Sequence, residues 1–316
     1  MSSVAMIEAA RAQIRPYMRQ TRLDNSTFYS QQSQAKVFFK CENLQVTGSF
    51  KVRGALNKTL SLNDKQRGAG IVTASTGNHG AACAYAMKQV GIKGIVFVPE
   101  TAVDTKVAAI ERLGGKIKKF GTDGLDTELE ARTFAKREGM TFISPYNDPY
   151  VMAGQGTIGV ELLEQLPGLD AVFVSVGGGG LIGGIATYIK AKKPAVQIIG
   201  CSPQNSQVMA ESVKAGEILD LPSLPTLSDG TAGGVEPGSI TFEACQNHVD
   251  TYISVTEEEI AASMRTFMNA QHMLIEGAAG VAVAGFTQVK DQFKGKNVAI
   301  VLCGANISLA VLKSIL

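Results

Sequence analysis

The part of the sequence that decides the fold reads AVFVSVGGGGLIGG at residues 171–184. Its first half is a continuous apolar run, which is typical of a strand buried on both faces of a parallel sheet. Four glycines follow, and a helical pattern begins near Leu181. A glycine-rich turn between a strand and a helix can bind an anion, because several backbone N–H groups converge at the positive end of the helix. We therefore predict an α/β fold with a phosphate site at this turn.

The glycines of this turn also match a dinucleotide-binding pattern. Gly178, Gly180 and Gly183 have the spacing G-x-G-x-x-G. A dinucleotide site also requires an acidic residue roughly 20 positions further on, to bind the ribose. The first acidic residue after the turn is Glu211, which lies beyond that position. The pattern therefore favours a single phosphate, and a glycine-rich turn that only allows tight packing is the alternative.

Short apolar runs alternate with helical patterns on both sides of this turn, in one block from residue 71 to 143 and another from residue 171 to the C-terminus. Two such blocks predict two open parallel-sheet domains with the active site in the cleft between them, and one continuous sheet is the alternative. Strands are predicted at residues 71–74, 94–98, 116–120, 141–143, 171–176, 196–201 and 297–302. Helices are predicted at residues 78–90, 105–113, 126–138, 181–192, 260–268 and 280–289, with a short one at the C-terminus.

Composition excludes several classes of protein. The 316 residues include 30 basic and 28 acidic side chains, so the charge is nearly balanced and neither a nucleic acid nor a membrane surface is expected as a partner. Five cysteines occur without a C-x-x-C pair, which predicts neither a disulfide framework nor a zinc site and favours the reducing cytoplasm. No signal peptide and no apolar run of about 18 residues is visible, so we expect a soluble protein.

A polar segment follows the first predicted strand. Ser75, Thr76, Asn78 and His79 lie where the next helix begins. Hydroxyls, an amide and the N–H groups of a helix N-terminus suit a carboxylate, because they can surround both of its oxygens. The alternative is an ordinary helix cap by Ser75 or Thr76. Spacing alone likewise leaves Lys51 as an ordinary helix lysine.

Four motifs, in this order along the chain, resemble the fold-type II pyridoxal-phosphate (PLP) enzymes, whose fold is that of the tryptophan synthase β subunit. The sequence TGSFK at residues 47–51, followed by RGA at 53–55, resembles the cofactor-lysine motif of that family. STGNH at 75–79 is similar to its substrate-carboxylate loop, GGGG at 177–180 to its phosphate loop, and CGAN at 303–306 to the motif opposite the pyridine nitrogen. The resemblance spans almost the whole chain and is strongest to serine/threonine dehydratases and serine racemases.

This resemblance implies the cofactor and the site. Lys51 would form the resting Schiff base with PLP and then take the α-proton of the substrate, and Asn78 would bond the phenolic oxygen of the cofactor. Thr76 is the second catalytic candidate. The implied cofactor-binding residues are Phe50, Lys51, Asn78, Gly177, Gly178, Gly179, Gly180, Leu181, Glu276 and Cys303. The implied substrate-binding residues are Ser75, Thr76, Asn78, His79 and Gly230.

The resemblance also implies the organisation of the chain. Residues 1–64 and 149–316 would form a large PLP-binding domain, and residues 65–148 a small substrate-side domain. A homodimer or homotetramer is expected. Many of these enzymes bind a divalent cation after the strand at 196–201, but here that segment reads SPQNSQV at 202–208 and lacks carboxylates, so no metal is expected.

Three positions depart from the common family pattern. Cys303 stands where many relatives have serine; its thiol would not strongly protonate the pyridine, which favours prompt loss of a β leaving group. Thr76 stands where racemases carry serine and many dehydratases alanine, and its β-methyl restricts χ1. The segment SDGTAGGVEPG at 228–238 is similar to a subgroup that includes hydroxyectoine-utilisation dehydratases, so the substrate need not be serine.

The sequence therefore predicts a PLP-dependent ammonia-lyase that converts a small β-hydroxy amino acid, such as L-threonine or L-serine, to a 2-oxo acid and ammonia. Alternatives within the family are a serine racemase and a dehydratase of 3-hydroxyaspartate or the hydroxyectoine pathway. Cysteine or threonine synthase is less favoured, because His79 replaces the usual threonine. An α/β binding protein without cofactor is the alternative outside the family.

Overall fold

The computed structural model describes residues 3–316, apart from the side chain of Thr105. The strands are β1 (Leu23–Asn25), β2 (Lys36–Lys40), β3 (Ile71–Ala74), β4 (Gly94–Val98), β5 (Lys116–Lys119), β6 (Thr141–Phe142), β7 (Ala171–Ser175), β8 (Gln197–Pro203), β9 (Thr251–Val255) and β10 (Asn297–Val301). The helices are α1 (Ser3–Ile14), α2 (Thr27–Ser33), α3 (Lys51–Leu60), α4 (Asp64–Ala69), α5 (Asn78–Val90), α6 (Asp104–Arg112), α7 (Gly124–Arg137), α8 (Pro149–Gln165), α9 (Gly180–Lys192), α10 (Val208–Ala215), α11 (Ile240–His248), α12 (Glu257–Gln271), α13 (Gly277–Val289) and α14 (Leu309–Ile315).

The strands form two separate sheets. The larger has the order β1-β2-β10-β7-β8-β9 and is parallel except for β1, which pairs antiparallel with β2. The smaller has the order β5-β4-β3-β6 and is entirely parallel. The predicted α/β fold with two parallel sheets is confirmed, and the single continuous sheet is wrong. The strands between residues 71 and 142 form the smaller sheet, while the domain boundaries at 64/65 and 148/149 stay a prediction.

Helix α8 is the longest element that the sequence analysis did not predict. Asp148 caps its N-terminus by accepting hydrogen bonds from the N–H groups of Tyr150 and Val151 at 2.8 and 3.1 Å. Most of its residues are buried, because it packs against α1, α3 and α9. A helix covered on several sides has no alternating polar face, so its sequence lacks the periodicity that predicts a helix.

The carboxyl ends of the parallel strands place the predicted motifs next to one another. Strands β7 and β10 are neighbours in the larger sheet, so the turn after β7 and Cys303 after β10 lie at one edge. Strand β3 of the smaller sheet leads into Ser75, and α5 begins at Asn78. Ligands of open α/β sheets bind at such carboxyl edges. None of the helices in the described chain has the length and hydropathy needed to cross a membrane.

Candidate active site

Lys51 opens helix α3 and points its amine into the molecule. Its Nζ donates a hydrogen bond to the carbonyl oxygen of Pro145 at 2.9 Å and lies 5.3 Å from the centre of the Phe50 ring. Burial lowers the pKa of Lys51 to about 8, against the opposing effect of Cys83, Cys303 and Glu276. A lysine with a lowered pKa is neutral more often near physiological pH, and the neutral amine is the form that acts as a nucleophile or base.

The glycine turn at residues 177–180, hereafter the glycine loop, connects β7 to α9. Gly179 precedes the helix with φ of +81°, a left-handed conformation that glycine adopts without the steric penalty of a side chain. The N–H groups of Gly177, Gly178 and Gly179 have no acceptor among the described residues. Free N–H groups at a helix N-terminus bind phosphate. Leu181 lies 6% exposed in the core of the larger sheet, so its side chain packs against apolar neighbours.

Glu276 is the centre of a buried hydrogen-bonded cluster. It is 3% exposed and precedes α13. The side-chain amide of Asn78 donates to both of its carboxylate oxygens, at 2.9 and 3.0 Å, and the backbone N–H of Asn306 donates at 3.1 Å. The Asn306 amide also donates to Asn78 Oδ1 at 2.6 Å. Burial raises the pKa of Glu276 to about 7, so this carboxyl can hold or release a proton near neutral pH.

Cys303 joins this cluster to the helix of Lys51. Its Sγ lies 3.8 Å from Glu276 Oε1, and its carbonyl oxygen accepts a hydrogen bond from the Phe50 N–H at 3.0 Å. Burial, followed by the nearby Glu276 carboxyl, raises the pKa of Cys303 well above its ordinary value. The side chain is therefore a neutral thiol, in agreement with the weakly acidic partner that the resemblance implies.

The loop between β3 and α5 holds the predicted carboxylate-binding residues. Ser75 Oγ accepts the N–H of Gly77 at 3.1 Å, and Thr76 lies half-buried beside it. His79 is 4% exposed, and its Nε2 lies 3.0 Å from the carbonyl oxygen of Ile143. That contact occupies Nε2, and Cys83 Sγ lies 3.6 Å from the same nitrogen, so neighbouring residues hold the ring in place. The substrate contacts of this loop stay a prediction.

His79 makes the stability of the protein depend on pH. Burial lowers its pKa to about 3, so the folded chain keeps the imidazole neutral. The unfolded chain binds a proton with a pKa of about 6.5, so we expect the free energy of unfolding to fall as the pH drops below that value. Urea unfolding at several pH values should show that the free energy of unfolding of His79→Gln depends less steeply on pH than that of the unmodified chain. Replacement of the partly exposed His248 by Gln is the control, and equal slopes for His79→Gln and the unmodified chain would contradict the expectation.

Two residues outside the predicted set also belong to the site. Pro145 accepts the hydrogen bond of Lys51, and Asn306 completes the Glu276 cluster. Asn306 lies in the CGAN motif, and its polar side chain in that motif could have indicated that it belongs to the site. Nothing in the local sequence of Pro145 indicates its role, because it acts through a carbonyl oxygen that every residue carries.

A cavity of about 350 Å³ adjoins the Glu276 cluster. Its wall includes Asn306 and four charged side chains, namely Lys106, Asp229, Glu257 and Glu276. Lys106 lies in α6, and its Nζ is 3.4 Å from Asp229 Oδ2. Gly230, next to Asp229, faces Glu276, since a β-carbon on Gly230 would lie 3.8 Å from Glu276 Oε1. The volume is at the lower end of the range for small-molecule sites.

The residues present fit a bound pyridoxal phosphate. The glycine loop offers free N–H groups for a phosphate, and the Lys51 amine suits an aldehyde. The hydroxyl of Ser49, which is fully buried two residues before Lys51, has no partner among the described residues. A buried polar group without a partner is costly, and a polar ligand bound beside Lys51 would supply the partner that the Ser49 hydroxyl lacks.

Comparisons with known proteins agree with this geometry. The profile of a protein family described as "Pyridoxal-phosphate dependent enzyme" matches residues 14–304. The catabolic L-threonine dehydratase TdcB of Staphylococcus aureus (strain USA300) is 41% identical over 311 residues, which cover 97% of this chain and 90% of that protein. The processed form of threonine deaminase isoform 2 from Solanum lycopersicum has a TM-score of 0.95 and 30% identity, covering 99% of this chain and 91% of that one. Maize serine racemase has a TM-score of 0.92 and 33% identity, covering 98% of this chain and 95% of that one.

Proposed function

This chain belongs to the family of pyridoxal-phosphate-dependent enzymes, and we propose that it is an ammonia-lyase that converts L-threonine, or a similar small β-hydroxy amino acid, to a 2-oxo acid and ammonia. The observation that carries the proposal is the inward-pointing Lys51 amine, in a chain that is 41% identical to a threonine dehydratase over 97% of its length. When bound, the cofactor stabilises negative charge at the α-carbon of the substrate.

The residues of this chain would supply attachment, orientation and proton transfer. Lys51 would bind the cofactor aldehyde and, as a free neutral amine, accept the α-proton. The N–H groups of the glycine loop would hold the phosphate. Asn78 would orient the ring oxygen, and the neutral thiol of Cys303 would face the ring nitrogen. A thiol there supports elimination over reactions that need a fully protonated ring.

The cavity wall favours a substrate without a second carboxylate. Asp229, Glu257 and Glu276 contribute three carboxyl groups, against the single ammonium of Lys106, which already lies 3.4 Å from Asp229. A second substrate carboxylate in this space would lie near the carboxyl groups of Asp229 and Glu257, and near that of Glu276 when it has released its proton, and repulsion between like charges costs binding energy. This arrangement supports a neutral β-hydroxy amino acid and disfavours 3-hydroxyaspartate.

A substrate panel tests the function. The purified holoenzyme is mixed with L-threonine, L-serine and L-threo-3-hydroxyaspartate, and ammonia and 2-oxo acid are measured. We expect kcat/KM for L-threonine to exceed that for 3-hydroxyaspartate by at least about tenfold, the ratio that roughly 1.4 kcal/mol of repulsion produces. Absence of ammonia from every substrate would refute the lyase. Chiral chromatography of reacted L-serine separates the racemase alternative, since D-serine formed without ammonia would favour a racemase.

We also propose that the enzyme forms a homodimer or homotetramer and works in the cytoplasm, as the resemblance implies. The cysteines support the cytoplasmic location, because all five are buried free thiols: Cys41, Cys83, Cys201, Cys245 and Cys303. Free thiols are typical of a reducing compartment.

A further inference from the structure

The segment at residues 228–238 contacts both the glycine loop and residues 71–142, which form the smaller sheet with helices α5, α6 and α7 and are hereafter called the small-sheet unit. On one side its Glu236 makes three hydrogen bonds to α7 and to the connection between β6 and α8. Glu236 Oε1 accepts from Arg132 of α7 at 2.7 Å, and Oε2 accepts from the Asn147 amide at 2.8 Å. The Glu236 N–H donates to the hydroxyl of Tyr146 at 2.9 Å. One residue of the segment is therefore bound to α7 and to the connection between β6 and α8.

On its other side the segment packs directly on the glycine loop. A β-carbon on Gly177 would lie 2.9 Å from the Cα and carbonyl oxygen of Thr231, so the two backbones are in close contact. Thr231 is 8% exposed and shares a hydrogen bond of 2.5 Å with the Ser228 hydroxyl. The ring of Tyr146 packs against Gly178 of the same loop. The segment and Tyr146, which accepts the hydrogen bond of the Glu236 N–H, therefore both lie against the predicted phosphate site.

The segment has little rigidity of its own. Four of its eleven residues are glycines, at positions 230, 233, 234 and 238, and glycine loses more conformational freedom on ordering than any other residue. Its position therefore depends on its contacts. The Arg132–Glu236 ion pair is partly exposed, with side-chain exposures of 37% and 30%, so it contributes little to overall stability. A second ion pair joins the segment to the small-sheet unit, between Asp229 and Lys106. It is longer and more exposed than the Arg132–Glu236 pair.

We propose that Glu236 is a positioning residue: it holds the 228–238 segment over the glycine loop and thereby makes phosphate binding at that loop depend on the small-sheet unit. The inference rests on the proposed function, since it assumes a cofactor phosphate at the glycine loop. Without Glu236, the segment keeps the buried contacts of Ser228 and Thr231 but loses its attachment to Arg132 and Asn147, so the Thr231 backbone is held less firmly against Gly177. The free N–H groups of the glycine loop are then less well ordered for an anion.

Cofactor titration tests this role without measuring activity. Apoenzyme carrying Glu236→Ala is titrated with pyridoxal phosphate and, separately, with pyridoxal, which lacks the phosphate, and binding is followed by absorbance. We expect the Kd for pyridoxal phosphate to rise about five- to tenfold while the Kd for pyridoxal changes less than twofold. The control is Glu8→Ala, which removes an exposed ion pair with Lys192 far from the glycine loop and should leave both values unchanged.

A double-mutant cycle with Arg132→Gln checks that Glu236 acts through its partner. If it does, the double variant binds pyridoxal phosphate about as weakly as Glu236→Ala alone, because the contact with Arg132 is already lost in that single variant. An unchanged Kd in Glu236→Ala, or an equal loss for pyridoxal and pyridoxal phosphate, would overturn the proposal. If Glu236→Ala does not fold, Glu236→Gln replaces it and the same criteria apply. Failure of the substrate panel with a normal titration would instead count against the proposed reaction alone.

Discussion

The Lys51→Ala variant is expected to lose at least about 10³-fold in kcat, because one side chain performs two functions. Its amine would attach the cofactor and then take the α-proton, and no other lysine amine contacts Phe50 or Pro145 among the described residues. Burial lowers the pKa of Lys51 to about 8, which favours the neutral amine that both functions require.

Two measurements check this expectation. Ammonia release from L-threonine gives kcat, and the long-wavelength absorbance of lysine-bound cofactor reports attachment. Lys65→Ala, which changes an exposed residue of α4, is the control and should match the unmodified enzyme in both. Residual activity of Lys51→Ala within tenfold of the control would show that another group takes the α-proton.

The Arg53→Met variant is expected to lower the free energy of unfolding by about 3–5 kcal/mol, the usual cost of breaking a buried ion network. Arg53 is fully buried, and its guanidinium donates to Glu42 Oε2 at 2.8 Å and to Glu161 Oε1 at 2.7 Å. Lys40 donates to Glu161 Oε2 at 2.5 Å. Two buried cations thus balance two buried carboxylates, and removing Arg53 leaves those carboxylates with Lys40 alone.

Urea unfolding measures the loss, and Arg11→Met supplies the control. Arg11 also pairs with a glutamate, Glu164 at 2.5 Å, but that pair is partly exposed and should contribute only about 0–1 kcal/mol. Similar losses for the two variants would mean that burial does not strengthen the Arg53 network. Since Arg53 lies two residues after Lys51 on α3, the loss should also loosen the start of the catalytic helix.

Several strands with short apolar runs were predicted well, but β2 and β9 were missed although each contains such a run. The predicted bounds of the strands at 71–74 and 94–98 and of the helix at 78–90 agree with β3, β4 and α5. Gly70 and Gly91 flank these elements at positive φ, and such glycines end helices and strands for local steric reasons. Helix α8 was missed, because its burial depends on α1, α3 and α9, which approach it from distant parts of the chain.

In the candidate site, too, features with a local sequence pattern were predicted, and features that depend on distant segments were not. The resemblance identified Lys51 and the glycine loop, and the structure brings Asn78, Glu276 and Cys303 together as a hydrogen-bonded group. It also shows the His79 ring occupied by the Ile143 carbonyl oxygen, which the motif did not reveal. A motif states which residue types are present, whereas hydrogen-bond partners depend on neighbours in space.

The turn at residues 171–184 illustrates what the sequence by itself determined: a buried strand, a glycine turn and a helix, because residue order alone sets periodicity and backbone freedom. The alternation of strands and helices likewise determined the α/β class. Only the tertiary structure decided that Asn78 reaches Glu276 across 198 residues and that Glu236 binds Arg132 across 104. Burial, shifted pKa values and these contacts arise from packing between distant segments, which no local pattern encodes.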